Sequence, residues 1–116
     1  MIKFRVATRL DLDKLYPDLK FSFRAIVAEE NGKLLGIGGI YYDREWVIAF
    51  SKITPELKKH PIAIARGAKK IMKLIGDSPC IAFADKNYPG APKLLERLGF
   101  VHWEGSVYKW GMCSKP

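Results

Sequence analysis

The stretch Asn87-Tyr88-Pro89-Gly90-Ala91-Pro92-Lys93-Leu94-Leu95-Glu96-Arg97-Leu98-Gly99-Phe100 carries the clearest local punctuation in the chain. Its Pro and Gly residues open a loop, and residues 93–98 then read as a helix. Gly99 stands where a helix end needs positive φ, and Phe100 directly after it is an apolar plug for a core. Upstream, residues 79–84 are a nearly continuous apolar run, as expected of a buried strand. Downstream, residues 100–104 and 107–110 flank Gly105-Ser106 and read as a closing strand pair.

The strongest helix signal lies further back, over residues 61–75. Ile64, Ala68, Ile71, Met72 and Ile75 recur at helical spacing, while Arg66, Lys69, Lys70 and Lys73 fall on the opposite face. Pro61 suits a first helical position and Gly76 a helix end. A short basic link separates this helix from Ile53-Thr54-Pro55.

Before the link come strands. Residues 23–29 and 33–42 flank Glu30-Asn31-Gly32, and Asn-Gly favours a type I′ hairpin because both central residues need positive φ. A second hairpin is expected with Asp43-Arg44 as its turn and residues 45–53 outgoing. Gly36, Gly38 and Gly39 inside one strand imply a bulge or a close backbone approach. The chain starts with an alternating strand over residues 2–7. A short helix over residues 11–19 follows, with Asp11 as N-cap and Pro17 limiting its length. The order is β-α-β-β-β-α-β-α-β-β, a mixed α/β sheet in one domain spanning all 116 residues.

Composition narrows the function classes. The longest uncharged stretch, residues 34–42, is too short to cross a bilayer, and no signal peptide is visible. Cys80 and Cys113 have no metal-type spacing, so no metal site is expected and a reduced, cytoplasmic setting is. The net charge of +8 suits an anionic partner such as nucleic acid, an acidic protein or a phosphorylated cofactor, or serves solubility alone. No basic run is interleaved with aromatics, so the pattern does not favour nucleic acid. Lys58, Lys59, Arg66, Lys69, Lys70 and Lys73 nevertheless leave a purely electrostatic version of that reading open.

The element order and two motifs resemble the GNAT superfamily of N-acetyltransferases. The first motif is Asn87, then Ala91, then a short helix closed by Gly99-Phe100. The second is the family's phosphate-binding turn, Gln/Arg-x-x-Gly-x-Gly/Ala, matched here by Lys58-Lys59-His60-Pro61-Ile62-Ala63. Pro61 replaces the central glycine and removes one backbone donor.

The resemblance implies acetyl-CoA as cosubstrate and an amine as acceptor. It places Lys58, Lys59, His60, Asn87 and the N–H groups of Ile62, Ala63 and Ile64 around the cofactor. A solvated link is the plainer account of Lys58, Lys59 and His60. The family's usual acid is a tyrosine four residues beyond the motif's Ala; here that position is Leu95. Tyr88 is the substitute acid, and Asp43, Glu45 and Asp85 are the carboxylates available as base. Tyr88 could instead cover the core and Asp85 cap a loop.

In style the chain resembles the GNAT-like proteins of tailed bacteriophages, which implies a host cytoplasm or a virion. Two readings follow: an amine acetyltransferase, or a non-catalytic module of the same fold that binds another protein. The acceptor, the partner and the oligomeric state are not written in the sequence.

Overall fold

Asn31 (φ 54°) and Gly32 (φ 79°) both take positive φ, so the first hairpin closes as an Asn-Gly pair demands. It joins β2 (Phe23–Glu30) to β3 (Lys33–Asp43). β3 then pairs antiparallel with β4 (Trp46–Ile53). The computed structural model describes residues 1–17, 20–44, 46–76, 79–84 and 89–110.

Among the described residues, seven strands form one sheet in the order β1-β2-β3-β4-β5-β7-β6, with β1 (Lys3–Val6), β5 (Cys80–Phe83), β6 (Val101–Glu104) and β7 (Val107–Trp110). Every pairing is antiparallel except β4 with β5. The second turn differs from expectation. Asp43 pairs with Trp46 and stays in the strand, because the ladder runs to that last rung; Arg44 (φ 58°) begins the reversal.

Side-chain alternation splits the core into two faces. One face carries Ala25, Val27, Ile37 and Phe50 and is covered by α1 (Arg9–Leu15) through Leu12. The other carries Ala28, Ile40 and Ala82. It is covered by α2 (Pro55–Lys58), α3 (Pro61–Ile75) and α4 (Ala91–Leu98) through Leu57, Ile64, Ile75 and Leu95, with Phe100 just past the end of α4.

α2 lies in what the sequence suggested was a plain link. Thr54 caps it, its hydroxyl accepting from the Leu57 N–H at 3.4 Å, and Pro55 sits in the first turn. α4 starts at Ala91, two residues ahead of expectation, with Pro92 in its first turn, where a missing N–H costs nothing.

Asp11 also has another role. The N-cap of α1 is Thr8; Asp11 is the third helical residue, and its carboxylate returns to the Thr8 N–H at 2.8 Å while the Thr8 hydroxyl accepts from the Asp11 N–H. Arg5, on β1, reaches the same carboxylate at 2.7 Å and 3.0 Å. That guanidinium, helped by Thr8, holds the Asp11 carboxyl well below the usual carboxylate range.

The glycine-rich strand has both expected features. A bulge sits between Ala28 and Glu29 opposite β3, and the backbones approach closely at Gly39. A Cβ on Gly39 would lie 2.1 Å from the Arg24 carbonyl oxygen. At the C-terminal motif, Gly99 takes φ 104° and ψ 5°, and Phe100 is buried behind it.

Candidate active site

Among the described residues β4 and β5 share two rungs, Ile48 with Ile81 and Ala49 with Ala82. Beyond Ala49, β4 runs on to Ile53 with no further rung to β5 among the described residues. Strand parity then fixes which backbone groups face the gap. Asp43 and Trp46 close a two-residue turn, and the Thr54 N–H donates to the Leu35 carbonyl at 3.0 Å, so the even-numbered residues bond toward β3. The N–H and C=O groups of Ser51 and Ile53 therefore face the side that β5 has left.

Under this open edge lies a cavity of about 120 Å³, walled by the sheet, α3 and α4. Gly36 and Gly38 of β3 let the helical layer approach: a Cβ on Gly38 would lie 2.5 Å from Ile71 Cδ1. Ser51 and Lys52 are the polar residues among the described residues of the lining. No described carboxylate or imidazole lines it.

The α3 start borders the same region, since Ala63 and Ile64 line the cavity. Three N–H groups were expected to be free there. The structure leaves two, because the Ile64 N–H donates to the His60 carbonyl at 3.1 Å. The Lys58, Lys59 and His60 N–H groups are spent within α2, on the Thr54, Glu56 and Leu57 carbonyls. Among the described residues of this turn, Ile62 and Ala63 keep N–H groups without a backbone acceptor, beside Pro61, which has none. The side chains of Lys59 and His60 are exposed and that of Lys58 is half-buried, so the turn is charged as well as donor-bearing.

The proposed acid–base groups fare differently. Glu45, Asp85, Tyr88 and Asn87 lie outside the described residues. Asp43 ends β3 opposite Trp46, the first residue of β4, about 16 Å of strand from Ser51. Leu95 packs into the core beneath the sheet, an apolar group where the family resemblance implies a phenol.

Sequence reasoning missed the edge of Ser51 and Ile53, since the parting of two strands leaves no mark in either. It also missed the aromatic box on the opposite face. There Phe50 meets Tyr16 at 5.4 Å and Tyr41 at 5.7 Å between ring centroids, and Phe21 stacks on Tyr41. Burial pushes the Tyr41 phenol up.

Comparison with solved structures identifies the architecture as the acetyltransferase fold of the GNAT proteins. The ribosomal-protein-S18-alanine N-acetyltransferase of Escherichia coli superposes with a TM-score of 0.64 at 14% identity, covering 94% of this chain and 91% of that one. A GNAT family acetyltransferase from Elizabethkingia anophelis with acetyl-CoA bound gives 0.60 at 13% identity, covering 96% and 98%. A Bacillus subtilis acetyltransferase in complex with CoA gives 0.59 at 16%, covering 90% and 79%. No protein-family profile and no curated protein matches the sequence. No described helix is long and apolar enough to cross a membrane.

Proposed function

We propose that this chain transfers an acetyl group from acetyl-CoA to an amine, with the thioester seated where β4 parts from β5. The observation that carries the reading is the β4 edge at Ser51 and Ile53, without a strand partner among the described residues, which leads along an apolar cavity to the α3 start. Such an edge accepts an extended, amide-bearing arm as an added strand. At one end of that arm, the Ile62 and Ala63 N–H groups and the Lys58, Lys59 and His60 side chains offer donors and charge to a pyrophosphate. GNAT-fold neighbours carrying CoA or acetyl-CoA support the same ligand.

In this reading the Ser51 N–H donates to the thioester carbonyl oxygen and stabilises the negative charge that grows on it. The amine lone pair attacks the carbonyl carbon, the C–N bond forms, and the C–S bond breaks. The amine gives up one proton to a base and the leaving thiolate takes one from an acid. Glu45 and Asp85 remain the proposed bases and Tyr88 the proposed acid. The acceptor is left as an amine of unspecified kind.

The test has two steps. Acetyl-CoA should raise the melting temperature, as any ligand of the folded state alone must, and a panel of amines should then release free thiol. An unchanged melting temperature at millimolar acetyl-CoA would sink the reading.

Leu95 and Pro61 support a second reading, a non-catalytic module of this fold that serves as a protein-binding surface. It expects no thiol release with any amine, together with a stable partner recovered in pull-downs.

A further inference from the structure

Between Lys58 and Lys73 stand six cations and no acid, so this segment carries +6 of the chain's +8. The fold arranges four of them in one stripe. At 100° per residue, Arg66, Lys69, Lys70 and Lys73 fall within an arc of about 100° on α3. All four are exposed, whereas Ile64, Gly67, Ala68 and Ile75 on the other side of the helix are buried. None of the four takes part in an ion pair among the described residues, and Lys70 lies 5.8 Å from the Phe4 ring centroid. The basic turn at Lys58 and Lys59 continues the positive field past the helix start.

We propose that this outer face of α3 docks on the phosphodiester backbone of a nucleic acid, without reading its sequence. The composition of the stripe selects that partner. A protein interface needs aromatic or apolar anchors, and a membrane-surface helix needs an apolar face to bury. Here the apolar side of α3 is consumed by the core, and Ile62 at one end is the large exposed apolar residue of the stripe. Cations alone suffice for a phosphate backbone, where released counterions supply the driving force. α3 is about 22 Å long, at 1.5 Å per residue, and a duplex strand presents a phosphate every ~3.4 Å of axis, so the stripe spans several phosphates. The proposal stands apart from acetyl transfer, since it uses the face of α3 turned away from the cavity.

The test is fluorescence anisotropy with a labelled 24-base-pair DNA duplex and the matching RNA duplex, without acetyl-CoA. Four neutralised phosphates predict a log–log salt slope of about −3.6, hence a loss of about 150-fold in affinity between 50 and 200 mM salt. The variant Arg66→Gln/Lys69→Gln/Lys70→Gln/Lys73→Gln should lose at least about 10-fold at 50 mM salt and flatten the slope. The variant Lys3→Gln/Lys14→Gln/Lys20→Gln/Lys93→Gln, with the same charge change elsewhere on the exposed surface, should stay within about threefold of wild type. Binding to either duplex or to both, with that contrast, supports the proposal. Equal losses in the two variants, a slope near zero, or no binding to either duplex at 50 mM salt overturns it. So does a stripe variant that loses acetyl-CoA affinity but binds duplex like wild type, because the stripe would then serve the phosphates of CoA. Thermal melts verify that both variants fold.

Discussion

Ala49 and Ala82 form the last rung between β4 and β5. Past this pair the Ser51 N–H faces a gap, whereas the neighbouring Lys52 bonds toward Ile37 of β3. One residue of offset separates a hydrogen bond to β3 from a donor with no strand partner among the described residues.

That offset predicts opposite outcomes for two proline substitutions. Lys52→Pro removes a ladder hydrogen bond and should cost about 3 kcal/mol or more. Ser51→Pro removes a donor with no strand partner among the described residues, so its cost should be less than half as large. It should nevertheless abolish the stabilisation by acetyl-CoA. Melting curves with and without the ligand read both effects.

Pro61 at the α3 start predicts a gain. Pro61→Gly adds a third free N–H beside those of Ile62 and Ala63, and acetyl-CoA should bind the variant more tightly by calorimetry. The folded state should weaken by about 1 kcal/mol, because glycine frees the unfolded chain and proline does not. Unchanged or weaker binding would place the pyrophosphate elsewhere.

Two adjacent glycines of β3 should respond very differently to alanine. At Gly38 the obstacle is the terminal Cδ1 of Ile71, which can rotate away, so Gly38→Ala should cost under about 1.5 kcal/mol. At Gly39 the obstacles are the Arg24 carbonyl at 2.1 Å and the Ala25 Cα at 2.5 Å. Backbone cannot step aside, so Gly39→Ala should cost about 3 kcal/mol or more. Denaturant titrations at fixed pH compare them.

The Asp11 carboxylate sets an acid limb to stability. Its folded-state pKa is depressed by Arg5 and Thr8, so its contribution is full above the unfolded value near ~3.9 and is lost as pH falls toward the folded value. Asp11→Asn should therefore cost about 2 kcal/mol at pH 7, with the gap to wild type shrinking steadily below about pH 4. A gap that stays constant down to pH 2 would contradict this pairing.

Much of this fold was legible because its signals are local. Asn31-Gly32 dictated a turn, the spacing from Ile64 to Ile75 dictated a helix with the bounds Pro61–Ile75, and Gly99 dictated that helix α4 must stop before Phe100. Each outcome depends on neighbours within a few residues, through φ preferences and i, i+4 packing. The short α2 was missed although Thr54-Pro55 marks its start, since four residues carry too little periodicity to register.

The site was far less legible. Acetyl-CoA chemistry was suggested by the likeness of residues 58–63 to a phosphate turn, yet the number of free donors there depended on where α2 ended and on the bond from Ile64 to His60. Asp11 looked like a cap by itself; its tertiary partner Arg5 comes from another element, and Glu29, on β2, also engages Arg5, at 3.1 Å.

The sequence by itself determined the described elements other than α2, their order and the basic stripe on α3, for these follow from local dihedral preference and helical geometry. Only the tertiary structure decided that β4 outruns its last rung with β5 at Ala49 and leaves the Ser51 edge without a strand partner among the described residues. Pairing between strands more than thirty residues apart is set by how the helices of both layers pack on the sheet, and nothing within either strand encodes where it ends.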